Sequence, residues 1–253
     1  MIKTEMRTNG TALMTLCDPA RRNCLSTPLL SSLRESLVRL KENGMRCLII
    51  SGEGDHFSAG YDLGSLREDF SVHSPHAREG KTLLRLALDD IEKLDCPVIA
   101  LIRGYCLGAG METAAACDLR IAAEDSLFGM PPAKIGLIYP PSGIRRLART
   151  VGEGFAREMF LTGRVYPAET MQRKGFLNET AAGSALEELA LQTAAEISSL
   201  SCSSLGGMKR IFYQMNQGDE SLQELTEGSL GDKDLAEGLS AFREKRKARF
   251  RED

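Results

Sequence analysis

Two short runs, residues 47–50 (CLII) and 97–102 (PVIALI), carry no polar side chain. Each stands immediately before a glycine-bearing loop. A strand with one wet face alternates polar and apolar residues, so a run that is apolar throughout must be covered on both faces, as in a parallel sheet. Neither run, nor any other stretch of the chain, approaches the roughly 18 uninterrupted apolar residues of a membrane-spanning helix. Both are read as interior strands, and no membrane role is expected.

Helical patterns fill the intervals. Residues 11–17 (TALMTLC) are apolar and β-compatible, and they lead into Asp18-Pro19, a natural turn. Pro28 then suits the first turn of a helix whose stripe is Leu29, Leu33, Leu37 and Leu40, with Gly44 able to end it. Residues 81–94 place Leu84, Leu88 and Ile91 on one helical face, residues 111–117 look helical, and residues 119–122 return as a strand. Alternating strands and helices imply a parallel α/β core with right-handed crossovers. Beyond about residue 200 the pattern changes: residues 222–239 and 241–250 read as charged helices with no further strand. The expected division is a core over residues 1–200 and a C-terminal helical region over 201–253. At 253 residues and 42% hydrophobic, the chain can bury a core of that size.

Charge and cysteine usage narrow the class. Lys plus Arg number 32 and Asp plus Glu 35, a net charge of −3, which speaks against a nucleic-acid partner. The seven cysteines (17, 24, 47, 96, 106, 117 and 202) are odd in number, form no C-x-x-C pair and lie mostly in apolar runs, as reduced thiols of a cytosol-like compartment do. Residues 1–10 carry scattered charges and no apolar h-region, so a cytoplasmic location is expected. None of the three histidines, His56, His73 and His76, has the spacing of a metal site, and no metal is expected.

The informative segments are the two glycine-bearing loops, residues 51–62 (SGEGDHFSAGYD) and 104–110 (GYCLGAG). Ligands in open α/β sheets bind beyond the carboxyl ends of strands, so both loops point at one crevice. Glycine lets the backbone approach a ligand closely, and the second loop opens a helix whose first N–H groups lack partners and can stabilise an oxyanion. The plainer reading is that the glycines make tight turns. A dinucleotide-binding G-x-G-x-x-G is incomplete because Thr113 takes the place of its third glycine, and a G-x-S-x-G hydrolase elbow is absent.

The runs 57–63 (FSAGYDL), 97–112 (PVIALIRGYCLGAGME), 117–123 (CDLRIAA), Phe128-Gly129, 161–163 (LTG) and 238–247 (GLSAFREKRK) together resemble the crotonase (enoyl-CoA hydratase/isomerase) superfamily, over almost the whole chain. The resemblance implies an α/β fold, a crotonase-like ββα spiral core with a C-terminal helical trimerisation region, assembled as a homotrimer or a dimer of trimers. It implies an acyl-CoA substrate and no cofactor, CoA being part of the substrate. The thioester carbonyl is then held by the main-chain N–H groups of Tyr61 and Ala109. Ala59 and Asp62 fall in the stretch that curls around the adenine and pantetheine of CoA. Arg22 resembles the family's basic residue near the CoA phosphates, and Lys245 or Lys247 can serve a neighbouring subunit's CoA; for these three, a solvated surface charge is the alternative. Removing a proton or CO2 next to a thioester creates an enolate, and each preorganised donor aimed at its oxygen is worth about 3 kcal/mol.

Side chains then choose the reaction. Hydratases of the superfamily use two glutamates. The first maps to Glu112; Pro132 stands where the second belongs, and Glu124 and Asp125 precede Phe128 in an expected surface turn. Tyr139 falls where the superfamily's methylmalonyl-CoA decarboxylases carry a tyrosine facing the substrate carboxylate. Those enzymes keep the first glutamate and lack the second, although they can carry histidine where Tyr61 stands here. Decarboxylation of a malonyl-type acyl-CoA is therefore the leading expectation. The alternatives are a hydratase or double-bond isomerase working with one carboxylate or with Tyr139 as its partner, and an inactive CoA-binding or assembly subunit. Glu112 could instead be a helix N-terminal carboxylate, and Tyr139 a core or lid aromatic. If Glu112 is buried beside Met111, Ala114 and Ala115, its proton affinity rises and it can act as a proton donor. Residues 63–81, with Arg67, Glu68, His73 and His76, are expected to cover the acyl pocket.

Overall fold

The computed structural model describes residues 1–62, 83–215, 237, 240, 241, 244, 246 and 249. The strands β1 (Ile2–Met6), β2 (Thr11–Leu16), β3 (Cys47–Gly52), β4 (Val98–Ile102), β6 (Leu119–Ala123) and β9 (Glu179–Ala181) form one sheet in the order β1-β2-β3-β4-β6-β9. Every pairing in it is parallel except the β1–β2 hairpin. A smaller sheet is made of β5 (Tyr105–Leu107), β7 (Leu127–Gly129) and β8 (Val165–Pro167). The described helices are α1 (Thr27–Glu42), α2 (Leu83–Glu92), α3 (Ala109–Ala116), α4 (Pro141–Val151), α5 (Glu153–Thr162), α6 (Ala168–Arg173), α7 (Leu186–Ser198) and α8 (Cys202–Met215).

The two apolar runs occupy the middle of the large sheet because both of its faces are covered. Leu48 and Ile50 of β3, with Val98, Ala100 and Ile102 of β4, join the main core, to which α1, α2 and α3 contribute. Cys47, Ile49, Ile99 and Leu101 alternate onto the other face, where they meet Leu186, Ala190 and Ala194 of α7. Period-two alternation sends successive side chains to opposite faces, so both cores need apolar residues at every position. On α1 the expected stripe is buried, with Leu30 added, each leucine contributing about 1.5–3 kcal/mol. The helix ends before Gly44, whose φ of +73° suits a residue without a Cβ.

Some elements lie outside the sequence expectation. β1 is almost wholly exposed and shows no apolar alternation. β5, β7, β8 and β9 have three residues each, too short for a period to register. α8, which a boundary at residue 200 assigns to the C-terminal region, is fastened to the core: Lys209 Nζ donates to Cys96 O at 2.9 Å and to Asp118 at 2.6 Å. The charged helices expected over 222–239 and 241–250, like the cover expected over 63–81, lie outside the described residues apart from the isolated positions above. No described helix is long and apolar enough to cross a membrane. All seven cysteines are free thiols.

Candidate active site

The two glycine-bearing loops are stitched together by main-chain hydrogen bonds. Phe57 N donates to Arg103 O at 2.8 Å, Ser58 N to Tyr105 O at 3.0 Å, and Leu107 N to Ser58 O at 3.0 Å. The contact is close enough to require glycine: a Cβ on Gly110 would lie 2.7 Å from Ser58 Cβ and Ser58 O, and one on Gly104 would lie 2.2 Å from Asp55 O. Asn23 anchors the first loop from the side. Wholly buried and in the left-handed region at φ +53°, it donates from Nδ2 to Glu53 O and His56 O, while Ser58 Oγ donates to its carbonyl. Sequence reasoning passed over Asn23, although asparagine's tolerance of that conformation was a usable signal.

Where the loops meet, Ala59, Gly60, Tyr61, Gly108 and Ala109 line one side of a cavity of about 440 Å³. Ala109 is the first residue of α3, so its N–H has no partner within the helix. Gly60, at φ +107°, runs so close that a Cβ there would lie 2.9 Å from Leu107 O and 3.4 Å from Ala109 N. A side chain at this position would both strain the backbone and crowd the Ala109 amide. Glu112, Pro132 and Tyr139 line the same cavity, with apolar wall from Leu84, Leu107 and Leu137.

Four of the expected residues, Tyr61, Ala109, Glu112 and Tyr139, thus converge on one cavity, with Ala59 beside them. Arg22 and Asp62 do not line it. Arg22 is exposed at the left-handed end of the turn that begins at Pro19; its guanidinium lies 5.5 Å from the centre of the Tyr105 ring, and its carbonyl accepts from Ala59 N. Asp62 accepts a hydrogen bond from Arg21 at 3.0 Å. Lys245 and Lys247 lie outside the described residues. Glu124 and Asp125 are exposed and away from the cavity.

The carboxyl group of Glu112 is the chemical centre of this wall. Only 4% of the residue is exposed; Tyr139 donates to Oε2 at 2.5 Å and Arg146 Nη1 to Oε1 at 2.6 Å. Burial raises its pKa, and it outweighs the opposing pull of the Arg146 charge and the two hydrogen bonds. Burial and the adjacent Glu112 carboxylate push the Tyr139 phenol well above its ordinary value. The same guanidinium reaches further from Nη2, to Asp89 at 3.0 Å and Glu92 at 2.8 Å, and Arg149 also pairs with Glu92. Sequence reasoning missed this network. Arg146 and Glu92 are 54 positions apart, and no local sequence pattern links charged residues at that separation.

The arrangement offers a main-chain amide at a helix start, a buried carboxyl group that can carry a proton, and an apolar chamber beside them. Among the described residues, no group of three or more His, Cys, Asp and Glu side chains is placed to hold a metal ion.

Comparison with known proteins agrees in family and fold. The enoyl-CoA hydratase/isomerase family matches residues 6–253. The 2,3-dehydroadipyl-CoA hydratase of Escherichia coli (strain K12) is 30% identical over 245 residues, 94% of each chain. The carnitinyl-CoA dehydratase of Salmonella typhi is 30% identical over 249 residues, again 94% of each. The crystal structure of an enoyl-CoA hydratase from Bacillus anthracis superposes with a TM-score of 0.88 at 31% identity, covering 98% of both chains. The chain belongs to the enoyl-CoA hydratase/isomerase family and is an enzyme of the crotonase superfamily.

Proposed function

We propose that the protein carries out hydratase/isomerase chemistry on an enoyl-CoA thioester, with the Glu112–Tyr139 pair as its acid/base unit. The thioester oxygen accepts hydrogen bonds from the main-chain N–H groups of Tyr61 and Ala109, which take up the negative charge as the enolate forms. Glu112 exchanges a proton with the acyl carbon next to the thioester. Its raised proton affinity keeps the acid form accessible, and the Tyr139 hydroxyl fixes the orientation of the carboxyl group. Pro132 has no proton to give, so one carboxyl group serves where the family pattern has two. In hydration the Glu112 carboxylate takes the proton that water loses as its oxygen adds at the β-carbon and delivers it to the α-carbon; in isomerisation it carries one from the α- to the γ-carbon as the double bond shifts. CoA is the substrate's handle, and the steps need no further cofactor.

The observation that carries this reading is that Glu112 is the sole carboxylate among the described residues lining the cavity, and that it is hydrogen-bonded by Tyr139. It is tested by incubating 2-enoyl-CoA and 3-enoyl-CoA with the enzyme in deuterated water and weighing the products. Gain of water, or a shifted double bond carrying deuterium, is expected. Glu112→Gln should cut the rate by about 10²–10⁴-fold; turnover equal to wild type would remove Glu112 from the mechanism.

Decarboxylation of a malonyl-type acyl-CoA is the second reading. Pro132 beside Tyr139 favours it, because departing CO2 leaves the electron pair behind and no base is needed to form the enolate. Loss of 44 mass units from methylmalonyl-CoA, with both enoyl-CoAs untouched, would select it. The exposed stripe Met208, Phe212 and Met215 on α8 supports the expected homotrimer or dimer of trimers; a monomer by light scattering would refute that assembly. The free thiols suit a reducing compartment such as the cytoplasm.

A further inference from the structure

The geometry points to an acyl group that ends in a carboxylate, held at the cavity wall by Arg145. The inference rests on the acyl-CoA reading above and adds the class of acyl group.

Among the described residues, three charged side chains line the cavity: Arg85, Glu112 and Arg145. Glu112 is already matched by Arg146. The neighbouring carboxylates are also taken, Asp89 by Arg146 with Arg85 at 3.7 Å, and Glu92 by Arg146 and Arg149. Arg145 has no ion-pair partner among the described residues. Adjacent on α4, the two arginines diverge: Arg146 turns into the buried acidic cluster, while Arg145 faces the cavity one turn beyond Ser142, which also lines it. The wall around them is apolar, from Leu84, Leu137, Pro140 and Pro141.

A guanidinium at the rim of an apolar chamber, with the acids around it among the described residues already paired, calls for a further anion. A planar carboxylate suits it because it can be gripped by two parallel N–H donors. The alternative source of negative charge is the phosphates of CoA. Arg145 lines the cavity that holds Glu112 and Tyr139, whereas Arg22 lies outside it, at the loop beside Ala59. The acyl terminus is therefore the assigned anion.

The test compares 2-enoyl-CoAs of equal length ending in a carboxylate or in a methyl group. Wild type should favour the carboxylate in kcat/KM by about ten-fold or more. Arg145→Gln should collapse that ratio by a similar factor, and Arg145→Lys should restore part of it. A wild-type ratio at or below one, or a ratio that Arg145→Gln leaves unmoved, overturns the proposal. Calorimetric binding of the matching saturated acyl-CoAs and of free CoA separates this from the reaction itself. Affinity lost only for the carboxylate-ended ligand supports the proposal even if neither enoyl-CoA turns over, a result that would count against the proposed reaction alone. Equal loss for free CoA assigns Arg145 to the phosphates and overturns it. Thermal unfolding of each variant confirms that the comparison is between folded proteins.

Discussion

Arg146 and Glu112 form an ion pair of 2.6 Å in which each residue is only 4% exposed, and Glu92 grips the far side of the same guanidinium. Glu92 therefore acts on Glu112 at second hand. Its negative charge raises the proton affinity of Glu112 directly and draws on the Arg146 charge that lowers it. Glu92→Gln should move the carboxyl-controlled limb of the kcat pH profile to lower pH. A limb that stays in place would show that Glu92 has only a structural part.

The stability of the same variant follows from Glu92 itself. Burial pushes this carboxyl group upward, but hydrogen bonds and charge from Arg146 and Arg149 win and leave its pKa below the ordinary value. A depressed carboxyl pKa contributes stability that is fully present above the unfolded value and is lost as pH falls through the folded one. Glu92→Gln should cost about 3–5 kcal/mol in denaturant unfolding at pH 7. The gap between wild type and variant should narrow below about pH 4.5. A gap that stays constant into acid would contradict the assignment.

Gly143 makes room for the acid/base pair. A Cβ there would lie 2.3 Å from Tyr139 Cε1 and 2.9 Å from the Glu112 carboxyl carbon. Gly143→Ala should lose about 1–3 kcal/mol from overpacking and should slow turnover by more than ten-fold, because the tyrosine ring must move off the carboxylate. Unfolding and steady-state kinetics on one preparation check both; unaltered kinetics would show that the pair tolerates displacement.

At the opposite end of α3 from the oxyanion site, the buried Arg120 donates to the carbonyls of Phe176, Cys117 and Ala114. It adds a charged donor to the Cys117 carbonyl just past the helix C-terminus and complements the dipole there. Arg120→Met should destabilise the fold by about 2–4 kcal/mol, since several buried acceptors lose charged donors. Urea midpoints measure it, and a loss under about 0.5 kcal/mol would contradict this role.

The parts of the fold legible in the sequence were those with a local signal. The apolar runs at 47–50 and 97–102, the leucine stripe of α1 and the glycine loops could each be read from a few adjacent residues, and Glu112 and Tyr139 through family motifs. The three-residue strands β5, β7 and β8 could not, because they exist through pairing and not through any period of their own. The Arg146 cluster was hidden because five charged residues on three helices become a network only after α2, α3 and α4 are brought together. Family motifs set Arg22 and Asp62 along CoA and outside the acyl cavity, and in the fold their side chains lie against Tyr105 and Arg21.

The central claim is that main-chain amides at Tyr61 and Ala109 polarise a thioester carbonyl, with Gly60 leaving Ala109 accessible. The direct measurement is the infrared carbonyl stretch of an acyl-CoA labelled with ¹³C at the thioester, free and bound. The account predicts a clear shift to lower frequency on binding to wild type, with Gly60→Ala losing most of the shift and about 10²–10³-fold in kcat. A bound frequency equal to that in water, in wild type, would contradict it.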